Sequence, residues 1–454
     1  MKDDCMQRKV YIETYGCQMN VADTELVLGI MSAAGYDRAV EMDKADVVLV
    51  NTCSVRENAE QRVFGRLGDF KAIKKSRPEV IVGVLGCMAE RLRRELIESE
   101  SHVDLVIGPD EYRRLPVLVE NARAGEKGIA VRLSRVETYD DIAPLRTEGI
   151  NAWLSVMRGC DKFCTFCVVP FTRGRERSRS LSGIVDEVKG LADRGFKEVS
   201  LLGQNVNSYR DNGSDFADLL SHVAQVDPSL RVRFTTSHPQ DMSDKLIETI
   251  AGHKNICNFI HLPVQSGSDR MLRLMNRTYT TEHYLRLVDK IRGTIPGVSL
   301  STDVIAGFPT ETEAEHQMTI ALMQEVGFDG AFTFKYSPRE NTKAWHMTDD
   351  VPEEVKIRRL HEIIDLQRTI SLRRNQLLIG SAMEVLVEGE SKKSPSDWCG
   401  RTDTNKVVVF PKNGAAIGDY IAVSIDRVNA ATLFGQSRSN EVHIDVLSYF
   451  VHRG

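Results

Sequence analysis

The chain has 454 residues, which predicts two to four domains, and its 42% hydrophobic and 27% charged content excludes a disordered or fibrous protein. A net charge of −5 excludes nucleic-acid binding through bulk positive charge and leaves only local patches for it. The charged start at Met1-Lys2-Asp3-Asp4-Cys5 and the lack of a long apolar run predict a cytoplasmic protein with reduced thiols and no membrane segment.

From Lys9 to about Asn121, β-rich apolar runs at Val10–Thr14, Val47–Val50, Val80–Leu85 and Leu105–Ile107 alternate with helical patterns such as Ala22–Met31 and Arg56–Lys75. This alternation predicts a parallel sheet with right-handed crossovers. Ligands of such sheets sit beyond the carboxyl ends of the strands. Three runs end in cysteine, at Tyr15-Gly16-Cys17, Asn51-Thr52-Cys53 and Leu85-Gly86-Cys87, separated by 36 and 34 residues. If these strands are neighbours, three thiols converge on one edge and form a three-cysteine cluster site. Scattered half-buried cysteines are the alternative. Gly16 and Gly86 suit a close approach of backbone to a cluster. The first domain is placed at residues 8–124, and its boundary in the polar stretch 122–149, with a turn at Ala124–Gly128 and a linker end at Asp140–Pro144.

A second domain, residues 146–378, opens with a strand-like run, Ala152–Met157, followed by Arg158-Gly159-Cys160-Asp161-Lys162-Phe163-Cys164-Thr165-Phe166-Cys167. Soft sulfur ligands select iron–sulfur clusters or zinc. A closed zinc site wants four ligands, and three leave an open position that a chelating amine and carboxylate would suit. A zinc clip or three unrelated thiols are the competing readings. The CxxxCxxC spacing, with Phe166 before the last cysteine, resembles the signature of radical S-adenosylmethionine (SAM) enzymes. Strands near Val199–Leu202, Val232–Thr235, Ile256–His261, Val298–Val304 and Ala331–Tyr336 complete a partial (β/α)6 TIM-type barrel, whose chemistry lies at the strand carboxyl ends. Polar or glycine-rich segments at those ends are Gly203-Gln204-Asn205, Ser237-His238-Pro239, Leu262 to Gly267 and Ala306 to Pro309. Gln204, Asn205, Ser237 and Asp303 are the expected polar contacts to SAM, and Phe166 the expected contact to its adenine.

After Pro352 a charged helix runs to about Leu378, read as a solvated face in preference to a nucleic-acid contact. Short strands at Val385–Val387, Lys406–Phe410, Tyr420–Val423 and Thr432–Phe434 predict a small β-barrel over residues 379–446. Cys257 reads as core, and Cys5 and Cys399 as incidental.

Thr14-Tyr15-Gly16-Cys17-Gln18-Met19-Asn20, Asn51-Thr52-Cys53-Ser54-Val55-Arg56 and Cys160 to Arg173 resemble the radical-SAM methylthiotransferase family, in particular the branch acting on isopentenyladenosine in tRNA. The resemblance spans nearly the whole chain and implies three parts: an N-terminal methylthiotransferase domain, a radical-SAM core and an RNA-binding β-barrel of the TRAM type. It implies that Cys160, Cys164 and Cys167 hold a [4Fe-4S] cluster that cleaves SAM, while Cys17, Cys53 and Cys87 hold an auxiliary [4Fe-4S] cluster that delivers sulfur. One SAM serves as methyl donor and another as radical source. Relatives acting on threonylcarbamoyladenosine in tRNA or on a ribosomal-protein aspartate, and a non-catalytic iron–sulfur RNA-binding protein, are the alternatives. Expected partners are the tRNA anticodon loop, an electron donor and a sulfur source, with the protein a monomer. Arg173, Arg175, Arg177 and Arg179 form the best local patch for tRNA phosphates, with Lys392, Lys393, Arg401 and Lys406 contributing from the C-terminal barrel.

Overall fold

Two apolar strands, Val47–Thr52 and Ile81–Gly86, are buried at every residue because helices cover both faces of the sheet they centre. The computed structural model describes residues 7–54, 57–146 and 149–438, so Cys5, the motif residues Val55 and Arg56 and the end of the C-terminal segment lie outside the described residues. The six-stranded sheet runs in the order Asp37–Arg38, Lys9–Tyr15, Val47–Thr52, Ile81–Gly86, Leu105–Ile107, Gly128–Ala130, with every neighbour parallel. Val47, Leu49, Ile81 and Leu85 face one core with Leu26, Val27 and Met31 of helix Gln18–Ala33. Val48, Val50, Val82 and Val84 face the other with Val63, Leu67 and Phe70 of helix Glu57–Ser76.

The first unit runs past the boundary expected at residue 124. Strand Gly128–Ala130 joins the sheet beside Leu105–Ile107, and Tyr139 is buried in the same core as Leu26 and Val27. A strand of three residues is too short to show alternation, and the glycine turn before it closes a helix instead of leaving the domain.

The second unit has the six expected parallel strands: Asn151–Ser155, Glu198–Leu202, Arg231–Thr235, Phe259–His261, Ser299–Ala306 and Gly330–Lys335. They form two three-stranded halves joined by a bridge between Val232 and Ile256. Val199, Leu201, Val232, Phe234, Leu300 and Val304 pack into the helix-covered core. The alternate residues, among them Glu198, Arg231, Arg233, Ser301 and Asp303, face inward, because successive strand side chains point to opposite faces. The result is an open barrel with a polar interior.

Helix Glu353–Gln376 leads into a closed five-stranded barrel, Ala382–Ser391, Ser394–Arg401, Val407–Pro411, Tyr420–Val428 and Thr432–Ser437. Strand Ser394–Arg401 escaped the sequence reading because SPSDWCGR has a proline and no apolar alternation. The expected balance within the helix holds for Arg358 with Glu362 and Arg368 with Asp365, but Arg359 is buried on Glu311 and Glu313 and Arg374 pairs with Asp329, so part of the helix is packed and not solvated. The small barrel docks at the amino-terminal ends of the larger barrel's strands. Arg231 donates to the Arg401 carbonyl at 2.7 Å, Arg233 to the Thr402 carbonyl at 2.6 Å, and Tyr420 to the Lys197 carbonyl at 2.9 Å. Lys406 is consumed here, 2.8 Å from Asp329 and mostly buried, and so is not a free nucleic-acid contact. Lys392 and Lys393 stay exposed.

Arg233 also holds buried Glu198 at 2.7 Å. Arg233→Ala is expected to cost about 3–5 kcal/mol, because it strands a buried carboxylate. A urea midpoint equal to that of the unaltered protein would show that this docking is not fixed by Arg233.

Candidate functional site

The cysteine-bearing strand ends are neighbours, in register Tyr15 with Thr52 and Thr52 with Gly86, which brings Cys17, Cys53 and Cys87 to one sheet edge. The Cys53 amide donates to the Tyr15 carbonyl at 3.0 Å. Gly16 is required here: a Cβ on it would lie 2.7 Å from the Cys53 Cβ and 2.4 Å from Asn20 Oδ1. Beneath the sulfurs runs a buried amide network. Asn20 Nδ2 donates to Asn51 Oδ1 at 3.2 Å and to the Thr52 carbonyl at 3.1 Å, and Asn51 Nδ2 donates back to the Asn20 carbonyl at 2.9 Å. Asn20 Oδ1 accepts from the Cys17 amide at 3.2 Å, so side chains from two elements fix the loop that presents the thiol. The Cys17 thiol is lowered to about 6, first by its hydrogen bond with Cys53, with the Arg173 charge adding to the effect. Burial pushes the Cys87 thiol up, against the same arginine.

The second cysteine set lies on the loop after the first barrel strand. Gly159, at φ +79°, turns into it, and a Cβ there would lie 2.0 Å from the Arg175 carbonyl oxygen. Backbone bonds hold the loop: Cys160 N to Gly174 O at 3.1 Å, Cys167 N to Cys164 O at 3.0 Å and Thr165 N to Met275 O at 3.1 Å. Cys160, Cys164 and Cys167 are partly exposed free thiols. Burial raises the Cys160 and Cys167 thiols to about 12. Arg277, buried and missed by the sequence reading, donates to Cys164 Sγ at 3.6 Å and to the Pro263 carbonyl at 3.3 Å. A lone arginine after a helix carries no signal in sequence.

The expected SAM contacts divide. Gln204 Oε1 accepts from the Gly159 amide at 2.5 Å and so braces the cysteine loop. Asn205 Nδ2 donates to Asp241 at 2.6 Å. Asn205 Oδ1, Ser237 Oγ and Arg277 Nε are buried and have no hydrogen-bond partner among the described residues. Asp303 lies 3.4 Å from His261 and is partly open. Phe166 packs edge-on against Phe308, ring centroids 6.5 Å apart, in a cluster with Met271, Met275 and Tyr336. His238 is depressed to about 2 by burial, with Arg277 and Lys162 adding, so it stays neutral and leaves the positive charge at this mouth to the arginine and lysine. Three thiols on one braced loop, with buried donors and acceptors nearby that lack partners among the described residues, fit a cluster carrying a polar ligand, since such groups cost free energy unless something bonds them.

Three of the four arginines expected to meet tRNA are not on the surface. Arg173, Arg177 and Arg179 are 3%, 6% and 8% exposed. Arg173 pairs with Asp23 at 2.7 Å, Arg177 with Asp110 at 2.9 Å, and Arg179 with Asp140 and Glu187, each at 2.8 Å. Apart from Glu187 on the helix that follows, these acids lie far back in the chain, at Asp23, Asp110 and Asp140. Only Arg175 stays exposed, and it binds Asp161 at 2.5 Å. Asp23, at 0% exposure, also binds Arg158 at 2.7 Å through its other oxygen. One buried carboxylate thus joins the helix that starts after Cys17 to both flanks of the Cys160 loop.

Residues 9–108 match a family described as uncharacterized protein family UPF0004, residues 154–323 the radical SAM superfamily and residues 376–437 the TRAM domain. Over 437 residues the chain is 55% identical to the tRNA-2-methylthio-N(6)-dimethylallyladenosine synthase of Chloroherpeton thalassium, covering 95% of this chain and 97% of that one. The protein so named in Phocaeicola vulgatus is 54% identical over 441 residues, 95% of this chain and 96% of its own. The chain belongs to the tRNA-2-methylthio-N(6)-dimethylallyladenosine synthase family. A radical SAM methyltransferase from Kitasatospora setae, TsrM, solved with cobalamin and a [4Fe-4S] cluster, superposes with a TM-score of 0.57 over 73% of this chain and 75% of its own. At 16% identity that likeness is one of fold alone. Membership of the radical SAM superfamily brings a [4Fe-4S] cluster and SAM to synthases of this family, and among the described residues no helix is long and apolar enough to cross a membrane.

Replacing Ser237 and Asp303 together by alanine is expected to weaken SAM binding to the reconstituted synthase at least tenfold, at roughly 1–3 kcal/mol per lost polar contact. Titration calorimetry giving unaltered affinity would move the SAM pocket elsewhere.

Proposed function

We propose that the chain transfers a methylthio group to carbon 2 of isopentenyladenosine beside the tRNA anticodon. The observation that carries this reading is the full-length identity of 52–55% to synthases named for that product, joined to the placement of six free cysteines as two sets on facing domains. Carbon 2 of an adenine has no useful acid or leaving group, so side-chain acid–base chemistry has little purchase and a cofactor must supply the reactivity. In this reading Cys160, Cys164 and Cys167 hold one [4Fe-4S] cluster and Cys17, Cys53 and Cys87 another. Bound there, the clusters and two molecules of SAM would supply the radical, the methyl group and the sulfur, with an electron donor and a sulfur source from outside.

The chain's own residues position and exclude. Gln204 and Arg277 fix the Cys160 loop, and Asn20 and Asn51 fix the Cys17 loop. Ser237, Asn205 and Asp303 orient SAM at the mouth. An anticodon-loop base can be unstacked to reach such a site at a cost of a few kcal/mol. The isopentenyl group is apolar, and the barrel interior offers it a wall: Phe332 is 53% exposed on the edge strand Gly330–Lys335 and stands edge-on to His261, ring centroids 5.6 Å apart. That wall disfavours the threonylcarbamoyl reading, whose substituent carries a carboxylate. Exposed Arg175, Lys392 and Lys393 remain for phosphate contact.

The decisive variant carries Cys17→Ala, Cys53→Ala and Cys87→Ala. It is expected to lose methylthiolation and keep SAM cleavage to deoxyadenosine, read by mass spectrometry of digested tRNA and by chromatography of the nucleoside. Methylthiolated tRNA from that variant would rule the two-site reading out. In the unaltered protein product should appear only with isopentenylated tRNA. Phe332→Ala should narrow that preference, since each buried methylene is worth about 0.8 kcal/mol, and an unchanged ratio of kcat/KM values would remove Phe332 from the substrate wall.

A further inference from the structure

Arg173 stands six residues after Cys167, at the end of the short helix Val169–Thr172, and belongs to the barrel domain. Its side chain nonetheless ends in the first domain. Nη2 binds Asp23, and Nη1 is buried with no hydrogen-bond partner among the described residues. The short helix it ends packs against helix Cys87–Leu92, whose first residue is the third thiol of the set. Arg158, on the other oxygen of Asp23, leaves Nε and Nη1 unpartnered as well, although the Tyr139 ring lies 4.7 Å from its guanidinium. Two guanidiniums therefore share one carboxylate. The pocket holds surplus positive charge and spare donors, and burying such a donor unpaired costs about 1–3 kcal/mol, more when it is charged. A pocket built this way calls for an anion beside it. Three thiolates outweigh the positive charge of an oxidised four-iron core, so a cluster on Cys17, Cys53 and Cys87 is such an anion.

We infer that Arg173 is a positioning residue for the sulfur-delivering centre, its free Nη1 donating a hydrogen bond to a sulfur of the group held by Cys17, Cys53 and Cys87. The inference rests on the reading of those cysteines as cluster ligands. Hydrogen bonds to cluster sulfur and nearby positive charge both stabilise the reduced state and set the potential. Arg173 thus tunes a centre in one domain from the loop that follows the cysteine set of the other.

The test uses full-length protein with Cys160, Cys164 and Cys167 all replaced by alanine, so that one cluster remains to be titrated. Into it go Arg173→Gln, Arg173→Lys and, as a control for a merely structural role, Arg177→Lys, which disturbs another buried interdomain pair. Iron content, midpoint potential by spectroscopic redox titration and thermal midpoint are measured for each. Arg173→Gln is expected to shift the potential to a more negative value and to lower iron retention. Arg173→Lys, keeping the charge, is expected to recover part of the shift. Arg177→Lys should lower the thermal midpoint and leave the potential where it was. An Arg173→Gln or Arg173→Lys protein with full iron and unshifted potential overturns the inference, as does an equal shift in Arg177→Lys. Should Arg173→Gln not fold, the lysine variant decides alone, with a smaller shift in the same direction expected. Absence of iron from the parent itself would instead refute the assignment of Cys17, Cys53 and Cys87 as ligands.

Discussion

Asp23 ties the helix that follows Cys17 directly to both flanks of the Cys160 loop. Burial works against its charge, yet the Arg173 and Arg158 guanidiniums hold its carboxyl below the usual carboxylate range. Asp23 lies on helix Gln18–Ala33, whose N-terminal cap is Cys17, and its two partners bracket the loop carrying Cys160, Cys164 and Cys167. A buried ion set of this kind is weak as a source of stability, because desolvation offsets much of the attraction. What it supplies is geometry: an apolar interface tolerates sliding, whereas two guanidiniums on two oxygens of one carboxylate admit a single register. The same helix extends the tie through Glu25, which binds Arg146 at 2.8 Å, and Arg146 in turn binds Glu187 of the barrel domain at 2.7 Å.

That geometry matters because neither half of the site has what a methylthio transfer needs. The first domain ends its strands in thiols, glycines and amides, with Asn20, Asn51 and Thr52 all at 0% exposure and satisfied by one another. Rigid and already bonded, these groups have no spare capacity for a small ligand. The barrel mouth is the reverse: Ser237 Oγ, Asn205 Oδ1 and Arg277 Nε are buried and unbonded among the described residues. One side is rigid and internally bonded and the other has free donors and acceptors, which is the division the proposed two-cluster reading calls for.

The parts of this arrangement that were legible in the sequence are those written in local patterns. CxxxCxxC is a local motif, and the three strand-end cysteines could be aligned because each closes an apolar run; the parallel sheet and six barrel strands follow from periodicity in the same way. The three-residue strand Gly128–Ala130 and strand Ser394–Arg401 lacked that periodicity. Charge was where the reading failed. Arg173, Arg177 and Arg179 look like a phosphate patch because their partners, Asp23, Asp110, Asp140 and Glu187, lie elsewhere along the chain. Arg277 and Phe332 were invisible for the complementary reason, since a single arginine or phenylalanine acquires meaning only from the direction it faces in the fold.

The docking of the C-terminal barrel constrains how RNA could approach. Its contacts, at Lys197, Arg231, Arg233 and Asp329, all fall at the amino-terminal ends of the larger barrel's strands. The cysteine loop, Ser237 and Arg277 all belong to the opposite, carboxyl end. With about 3.3 Å per strand residue, the two ends are roughly 20 Å apart. The two barrel edges that do not pair are strands Asn151–Ser155 and Gly330–Lys335; helix Gln18–Ala33 of the first domain packs against the former and helix Glu353–Gln376 against the latter. Phe332 lies on one of those edges. An exposed aromatic ring on an unpaired barrel edge is a surface suited to an apolar substituent, which is why the proposed reading puts the selective wall there.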